Sequence, residues 1–272
     1  MTTSNLHPVR DESDALRLLR AGEMVLEGQL ADASNTTLRA FLTLDGVTVR
    51  CVYKPVRGER RLWDFPDGTL AGREVAAYLV SRAAGWDLVP PTVLRDGPLG
   101  PGACQLWIDE PDDASPLLGF VPAERLPAHW LAVAGAYDEA GRRYVLGHAD
   151  DPRLAWLAVF DAVINNADRK VGHVLHGPDG RIYAVDHGVC FHIDDKLRTV
   201  LWGWVGRTLP SAAMDTLARL AEALAGPLGV ELAGHLTAAE VARLTARVRR
   251  LCVTGRFPPP PADRPAMPWP PV

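Results

Sequence analysis

Two stretches of sequence decide the fold: Asn165-Asn166-Ala167-Asp168-Arg169-Lys170-Val171-Gly172-His173-Val174-Leu175 and Ile182-Tyr183-Ala184-Val185-Asp186-His187-Gly188. They predict an acid-bearing loop, two short strands joined by a turn at residues 177–180, and a second acid beside a glycine. Asp168 and Asp186 are 186 − 168 = 18 positions apart. A hairpin between them would bring both carboxylates to the same open end of the hairpin. Enzymes that transfer phosphoryl groups use such a pair, one carboxylate to orient the attacking hydroxyl and one to hold the metal ion.

Upstream of these stretches, the sequence predicts a small antiparallel sheet. Strands are expected at residues 24–30, 36–44 and 47–54, and Asp45-Gly46 is a strong tight-turn signal between the last two. A helix over residues 72–84 follows, with Glu74 in its first turn. Two further strands are predicted at residues 89–94 and 103–108.

The acidic stretch at residues 109–115 predicts a linker between two lobes. Beyond it the chain is expected to be mainly helical, and helices are predicted at residues 152–165, 215–225 and 237–252. The proline-rich residues 257–272 predict an extended tail that packs over the surface or is disordered. The predicted division is an N-terminal β-rich nucleotide-binding lobe (1–108), a C-terminal helical catalytic lobe (109–256) and a tail (257–272).

Composition excludes several classes of protein. The chain has 272 residues, a net charge of −4 and a hydrophobic fraction of 47%, so it can bury a large core and carries no electrostatic footprint for nucleic acid. Its four cysteines form no C-x-x-C pair, which argues against structural zinc and a disulfide framework. The sequence shows neither a signal peptide nor a membrane span, and a soluble, cytoplasmic protein is expected.

Three other sets of residues offer chemistry, and each has a simpler interpretation beside it. Lys54 and Glu74 can form the ion pair that places a strand lysine on nucleotide phosphates, or they are a surface lysine and a glutamate complementing the helix dipole. His173 can bind a metal ion beside the two acids, or it is a hydrogen-bonded structural group. In the turn at residues 31–35, Ser34 and Asn35 can cover phosphates, or they are ordinary turn formers.

The local density of histidine and aspartate also permits a metal-dependent hydrolase, since such sites combine imidazole with carboxylate. No H-x-x-x-H pair or His-Asp dyad at helical spacing is present, and this interpretation leaves Lys54 without a role. The residues concerned are Asp161, Asp168, His173, His176, Asp186, His187, His192, Asp194 and Asp195.

The order of a β-hairpin, Lys54, Glu74, a linker and then the two acids resembles the protein-kinase-like superfamily. The phrases Asn166-Ala167-Asp168-Arg169 and Val185-Asp186-His187-Gly188 look closest to the phosphatidylinositol 3- and 4-kinase branch, especially type II 4-kinases, and to HipA-like kinases. They are also similar to a group of actinobacterial proteins assigned by that likeness. The resemblance covers roughly residues 26–191 and implies an α+β, two-lobed fold with an N-terminal, mainly antiparallel sheet plus helix and a C-terminal, mainly helical lobe.

The resemblance also implies roles for individual residues. Lys54 would contact the α/β-phosphates of ATP and Glu74 would hold it. Asp168 would be the catalytic acid, Asp186 the ligand of Mg²⁺ or Mn²⁺, and Gly188 would permit the turn that follows. The hinge beside adenine would be formed by Gln105, Leu106, Trp107 and Ile108.

Two departures from the family pattern affect the expected activity. The superfamily usually carries asparagine five positions after the catalytic aspartate, where this chain has His173, and an imidazole suits Mn²⁺ better than Mg²⁺. The glycine-rich loop is also missing. The leading hypothesis is ATP- and metal-dependent phosphoryl transfer to a hydroxyl of a lipid, small polyol or protein. A nucleotide-binding pseudokinase scaffold and adenylyl transfer by the same fold remain alternatives.

Two tryptophans follow the second acid. Trp202 and Trp204 lie beside the basic residues Lys196 and Arg198, and could form a platform for a substrate or for peripheral contact with a membrane. The favoured interpretation is a packing segment anchored by large aromatic side chains.

Overall fold

The N-terminal part of the chain is built on a five-stranded antiparallel sheet. The structure is a computed structural model that describes residues 11–30, 35–60, 62–66 and 69–272. The strands are β1 (Glu23–Gln29), β2 (Leu38–Leu44), β3 (Val47–Pro55), β4 (Thr92–Gly97) and β5 (Gly100–Leu106), in the spatial order β1-β2-β3-β5-β4. The predicted turn at Asp45-Gly46 joins β2 to β3, with both residues at positive φ. β4 begins later than predicted because Pro90 and Pro91 have no N–H to donate to a ladder.

Two helices accompany this sheet. They are α1 (Glu12–Ala21), capped by the Asp11 carboxylate, and α2 (Leu70–Ala83), capped by the Thr69 hydroxyl, which accepts from the N–H of Gly72 at 2.9 Å. Because Thr69 caps it, α2 starts two residues before the predicted position, and Glu74 lies in its second turn rather than its first. Most of α2 is buried, Glu74 included.

A second sheet, which the sequence did not predict, follows the acidic linker. Its strands are β6 (Leu118–Pro122), β7 (Trp130–Tyr137) and β8 (Arg143–Ala149), and β8 is central. The Asp138 carboxylate closes the β7–β8 turn by accepting from the N–H groups of Ala140 and Arg142. This stretch was expected to be mainly helical, so the prediction was incomplete here.

The remaining elements are helices and one short hairpin. They are α3 (Pro152–Ile164), β9 (Val174–His176), β10 (Ile182–Ala184), α4 (Ser211–Leu224), α5 (Pro227–Leu232) and α6 (Ala238–Thr254). The hairpin pairs Val174 with Ala184, as the sequence predicted. α3 ends at Asn165, which adopts the left-handed conformation with φ 55°. The helices outnumber the strands in this part, and the α+β fold class is confirmed.

The C-terminal residues 257–272 pack onto the chain. Phe257 is buried, the carbonyl of Ala266 accepts from the N–H of Thr199 at 3.2 Å, and the carbonyl of Pro271 accepts from the N–H of Val171 at 2.9 Å. Of the two predictions for this tail, packing over the surface is therefore the one observed.

The two tryptophans after the second acid pack against other parts of the chain. Trp204 is 4% exposed, stacks on Phe257 and donates its indole N–H to Asp150, while Trp202 donates to the carbonyl of Ala266. The packing interpretation thus replaces the platform interpretation. All four cysteines are free. Among the described residues, no helix is long and apolar enough to cross a bilayer.

Candidate active site

Lys54 lies near the end of β3 with its ammonium group between two carboxylates. Its Nζ contacts Oε1 of Glu74 on α2 and Oδ1 of Asp186, the latter at 2.9 Å. Glu74 is almost fully buried, and its other oxygen, Oε2, accepts from the backbone N–H of His187 at 3.0 Å. The ion-pair interpretation of Lys54 and Glu74 therefore describes the structure, and the strand-end surface interpretation does not.

Asp186 follows β10 in an unusual backbone conformation. Its φ is +62°, in the left-handed region that non-glycine residues seldom adopt. This conformation turns the side chain toward Lys54 on one side and toward His173 on the other, where Oδ2 lies 3.4 Å from Nε2. Gly188 follows closely, and a Cβ there would lie 3.2 Å from Cβ of Leu70, so the space beside α2 favours glycine.

Asp168, His173 and Asp186 form one cluster. Each offers one ligand atom, and these atoms all lie within 4.8 Å of one another. Asp168 and His173 lie at the two ends of a loop that closes with a single helical turn at Val171–His173. The Asp168 carboxylate also lies 3.3 Å from the ammonium group of Lys170.

Burial and neighbouring charges set the protonation states of the cluster. The ammonium of Lys54 holds the pKa of Asp186 well below its usual range, against the opposing effect of burial. Burial alone would lower the pKa of Lys54, but Asp186 and Glu74 together raise it above its ordinary value. Burial raises the pKa of Asp168, with Lys170 opposing the change, and it lowers the pKa of His173 to about 4.

These states fit a divalent cation of the transition series. At neutral pH Asp186 is ionised and His173 is neutral, so one ring nitrogen offers a lone pair beside carboxylate oxygens. Mixed imidazole and carboxylate donors suit Mn²⁺, whereas Mg²⁺ prefers oxygen alone. Asp186 and His173 could hold such an ion, and their role as metal ligands stays a prediction.

A buried arginine beneath the cluster connects its parts. The guanidinium of Arg169, fully buried, binds both carboxylate oxygens of Asp161 on α3 and donates to the carbonyls of His173 and Val185 at 3.2 and 2.9 Å. It also lies 2.8 Å from Nε2 of His187. One side chain therefore fixes the backbone at His173 and at the residue before Asp186.

Three residues that had no role in the predicted kinase site support the cluster. Asn166 accepts from the N–H of Asp168 at 2.9 Å and donates to Asp161 at 3.1 Å. His187 is fully buried between Arg169 and Glu74. Asp161 carried a usable signal, because an acid inside an otherwise apolar helix must find a buried partner.

The predicted hinge residues lie at the end of β5 and just beyond it. The side-chain amide of Gln105 donates to the hydroxyl of Thr92 at 2.9 Å, so this donor is used within the sheet. The N–H groups of Leu106 and Trp107 bond to the carbonyls of Pro91 and Arg50.

Ile108 is the predicted hinge residue whose N–H makes no hydrogen bond within the described ranges. Leu106, Trp107 and Ile108 line a cavity of about 520 Å³ that Tyr78 and Tyr183 also line. Neither Lys54 nor the acid cluster lines this cavity. A role for residues 105–108 beside adenine stays a prediction.

The predicted phosphate-covering residues are placed differently. Ser34 lies outside the described residues. Asn35 accepts from the N–H of Arg60 at 2.8 Å through its side chain, and from the hydroxyl of Thr37 through its carbonyl. These bonds fit the interpretation of Asn35 as an ordinary turn former, and its contact with phosphate stays a prediction.

The metal-hydrolase alternative loses most of its candidate ligands. Asp161 and His187 are engaged by Arg169 in the interior, and Asp195 pairs with Arg247 and Arg250. Within the described part of the chain, Asp168, His173 and Asp186 are the group of three that could hold a metal ion. Lys54 touches this same group, which a hydrolase site does not require.

Comparison with known proteins places this geometry in context. No family model matches the chain. Protein Rv2133c of Mycobacterium tuberculosis is 51% identical over 270 residues, which span 96% of each chain. The structure of hydra Fam20 with sugar is 14% identical, covers 93% of this chain and 91% of that one, and superposes with a TM-score of 0.54.

The Golgi casein kinase with Mn/ADP bound is also 14% identical, over 89% of this chain and 75% of that one, with a TM-score of 0.52. These two similarities show that the fold is protein-kinase-like, so the resemblance predicted from the sequence is confirmed at the level of the fold. The narrower likeness to phosphatidylinositol and HipA-like kinases stays a proposal.

Proposed function

The chain belongs to the family of protein Rv2133c from Mycobacterium tuberculosis, and on that premise, with its protein-kinase-like fold, we propose that it transfers a phosphoryl group from ATP to a hydroxyl acceptor. The observation that carries the proposal is the joint placement of Lys54, Glu74 and the cluster of Asp168, His173 and Asp186. Remote parts of the chain bring one amine, three carboxylates and one imidazole together, and three of these groups could hold a divalent cation.

Asp168 is the residue proposed to receive the acceptor hydroxyl. Its carboxylate is half-buried, and burial raises its pKa, which makes it a better proton acceptor than an exposed aspartate. Lys170, 3.3 Å away, opposes this rise in the pKa and favours the ionised carboxylate. The bond from the N–H of Asp168 to Asn166 fixes the position of the acid in its loop.

Lys54 is the residue proposed to hold the nucleotide phosphates. Glu74 keeps the ammonium group in place from the interior, while Asp186 contacts it from the more solvent-exposed side. A divalent cation bound with ATP would neutralise charge on the β- and γ-phosphates. Because His173 occupies the position where asparagine is usual, we expect Mn²⁺ to support activity better than Mg²⁺. The Mn/ADP bound to the Golgi casein kinase is compatible with this preference.

Three narrower alternatives share the same site. A pseudokinase would bind ATP without consuming it, and an adenylyl transferase would release pyrophosphate rather than ADP. A metal hydrolase would retain a metal ion through purification and would not be stabilised by ATP. Incubation of the protein with labelled ATP and either Mn²⁺ or Mg²⁺ separates these outcomes by product.

The change Asp186→Ala tests the proposal directly. It removes a proposed metal ligand and the outer partner of Lys54, so metal-dependent ADP formation should fall by about 100-fold or more. The matched control is Asp113→Ala, which changes an exposed aspartate in the acidic linker and should leave turnover unaltered. Steady-state ADP release, measured at several Mn²⁺ concentrations, gives the comparison.

Normal turnover by the Asp186→Ala protein would refute the assignment. ATP binding by the wild type without any product would instead favour the pseudokinase. Circular dichroism of both variants separates loss of catalysis from loss of fold.

A further inference from the structure

Residues 198–200 run alongside the loop that carries Asp168. The N–H of Arg198 donates to the carbonyl of Asn166 at 2.9 Å, and the carbonyl of Arg198 accepts from the N–H of Arg169 at 3.0 Å. The N–H of Val200 donates to the carbonyl of Arg169 at 3.2 Å, which completes a short parallel pairing. These bonds fix the backbone of Arg198 beside the backbone on both sides of Asp168.

This pairing determines which way the side chains face. Arg169 and Thr199 are direct partners, and both are buried. Because side chains alternate along paired extended segments, the preceding residues Asp168 and Arg198 face the opposite side together. Both are partly exposed there. Arg198 is also close enough to act electrostatically on the Asp168 carboxylate.

The guanidinium of Arg198 is not committed to a protein partner. Its Nε is buried without a hydrogen-bond partner, and within the described residues its side chain forms no ion pair or hydrogen bond. Most other cations near the site are engaged: Lys54 with Glu74 and Asp186, Lys170 with Asp168, and Lys196 with Asp64. A desolvated guanidinium nitrogen beside the acid that orients the acceptor is a free anion-binding group.

We propose that Arg198 binds an anionic group on the acceptor, so that the substrate is a small polyol whose reacting hydroxyl lies next to a phosphate or carboxylate. The proposal rests on the proposed phosphoryl transfer at Asp168 and adds the class of acceptor to it. A guanidinium binds either anion through two parallel hydrogen bonds, which would hold the neighbouring hydroxyl against Asp168.

The surroundings of residues 198–200 favour a small acceptor over an extended peptide. Peptides often bind by pairing with a free edge of extended backbone. Here one edge is paired with the loop of Asp168, and the other is taken by the tail, because the N–H of Thr199 donates to the carbonyl of Ala266. Both edges are therefore occupied next to the proposed acceptor site.

The test measures acceptor preference in four proteins: the wild type, Arg198→Gln, Arg198→Lys and the control Arg249→Gln, which changes an exposed arginine on α6. Phosphoryl transfer from ATP with Mn²⁺ is compared for myo-inositol 1-phosphate and for myo-inositol. Vesicles of phosphatidylcholine, with and without phosphatidylinositol, test whether the anion belongs to a lipid headgroup instead of a soluble compound.

The wild type and Arg249→Gln should prefer the anionic acceptor, in solution or on the vesicle. Arg198→Gln should reduce that preference in kcat/KM by about 10- to 100-fold, since a hydrogen bond between charged groups is lost. Arg198→Lys should retain part of the preference, because it keeps the charge but not the paired donors.

Turnover of ATP with equal use of both acceptors, or a preference that Arg198→Gln leaves intact, would overturn the inference and leave the proposed phosphoryl transfer standing. Transfer to an acidic peptide in place of either polyol would overturn it as well. If no protein consumes ATP, the proposed function fails, and calorimetry with myo-inositol 1-phosphate decides the inference. Binding by the wild type that is lost in Arg198→Gln supports it, and absence of binding by the wild type rejects it.

Discussion

At the level of single residues, the side chain of Arg169 makes contacts that span the site. It binds Asp161 on α3, the carbonyls of His173 and Val185, and the ring of His187. Arg169 and Asp161 are both fully buried. A buried ion pair of this kind gives little net stability, but removal of one partner leaves an uncompensated charge in the interior.

The change Arg169→Met should therefore destabilise the protein strongly. Asp161 would lose its counter-ion, and the free energy of unfolding should fall by about 3–5 kcal/mol. The control Arg143→Met removes an exposed arginine on β8 and should cost less than about 0.5 kcal/mol. Urea denaturation of the two variants gives both values.

Addition of Asp161→Leu to Arg169→Met should restore part of the lost stability, since neither charge of this pair is then left in the interior. Equal, small losses in Arg169→Met and Arg143→Met would contradict this account of the pair.

At the level of elements, the N-terminus of α6 joins two helices. The hydroxyl of Thr237 accepts from the N–H of Glu240 at 3.2 Å, and the carboxylate of Glu240 accepts from the N–H of Thr237 at 2.9 Å. The other oxygen of Glu240 pairs with Arg73 on α2. This capping box thus also fixes the carboxylate that anchors α6 to the helix carrying Glu74.

The change Thr237→Ala should lower the free energy of unfolding by about 1 kcal/mol, because an orphan N–H at the start of α6 loses its acceptor. Thr254→Ala is the matched control, since it makes the same substitution at the exposed far end of the same helix. Thermal unfolding of both variants checks the difference, and equal losses would show that the cap contributes nothing.

Local sequence signals account for the elements that could be predicted. Asp45-Gly46 indicates the β2–β3 turn, and Thr237 with Glu240 indicates the start of α6. Strands β6 to β8 were not predicted, although Gly141 lies in the turn between β7 and β8, because β6 and β7 carry few buried positions that would give a strand pattern. β6 and β7 are stabilised as strands by pairing with the central strand β8, and this pairing depends on tertiary structure.

The same distinction applies to the candidate site. Residue type and order predicted that Lys54, Asp168, His173 and Asp186 lie close together, as the structure shows. Their roles in catalysis and metal binding stay predictions. Their support by Arg169 did not follow, because a buried pair is recognised only when both partners are seen in space. The sequence indicated Arg198 only as a basic neighbour of the tryptophans. That Arg198 lies beside Asp168 follows from the pairing of Thr199 with Arg169, which only the structure shows.

At the level of the whole molecule, a buried histidine links the second sheet to the segment after the site. His148 on β8 is fully buried, its Nδ1 lies 3.0 Å from the carbonyl of Ala149, and its Nε2 accepts from the N–H of Gly203 at 3.0 Å. The ring also packs against Trp204. Burial lowers the pKa of His148 below its ordinary value of 6.5, so the neutral ring is the form that the folded protein accommodates.

This arrangement predicts a dependence of global stability on pH. The unfolded chain binds a proton at His148 below about pH 6.5, whereas the folded chain resists it, so the contribution is complete above that pH and is lost as the pH falls toward the lower folded pKa. The slope reaches at most about 1.4 kcal/mol per pH unit. Unfolding free energies between pH 7 and pH 5 should fall less steeply in His148→Gln than in the wild type.

His129→Gln, which changes an exposed histidine, serves as the control for that measurement and should retain the slope of the wild type. Identical slopes in the wild type and His148→Gln would exclude His148 as a source of acid sensitivity.

The left-handed backbone conformation of Asp186 costs conformational energy at the candidate site. Glycine would adopt φ +62° freely, whereas a residue with a Cβ gives up roughly 1 kcal/mol there. The chain thus carries an aspartate at a position where the backbone conformation favours glycine. The change Asp186→Gly would relieve this strain, but it would also remove the carboxylate that contacts Lys54 and His173.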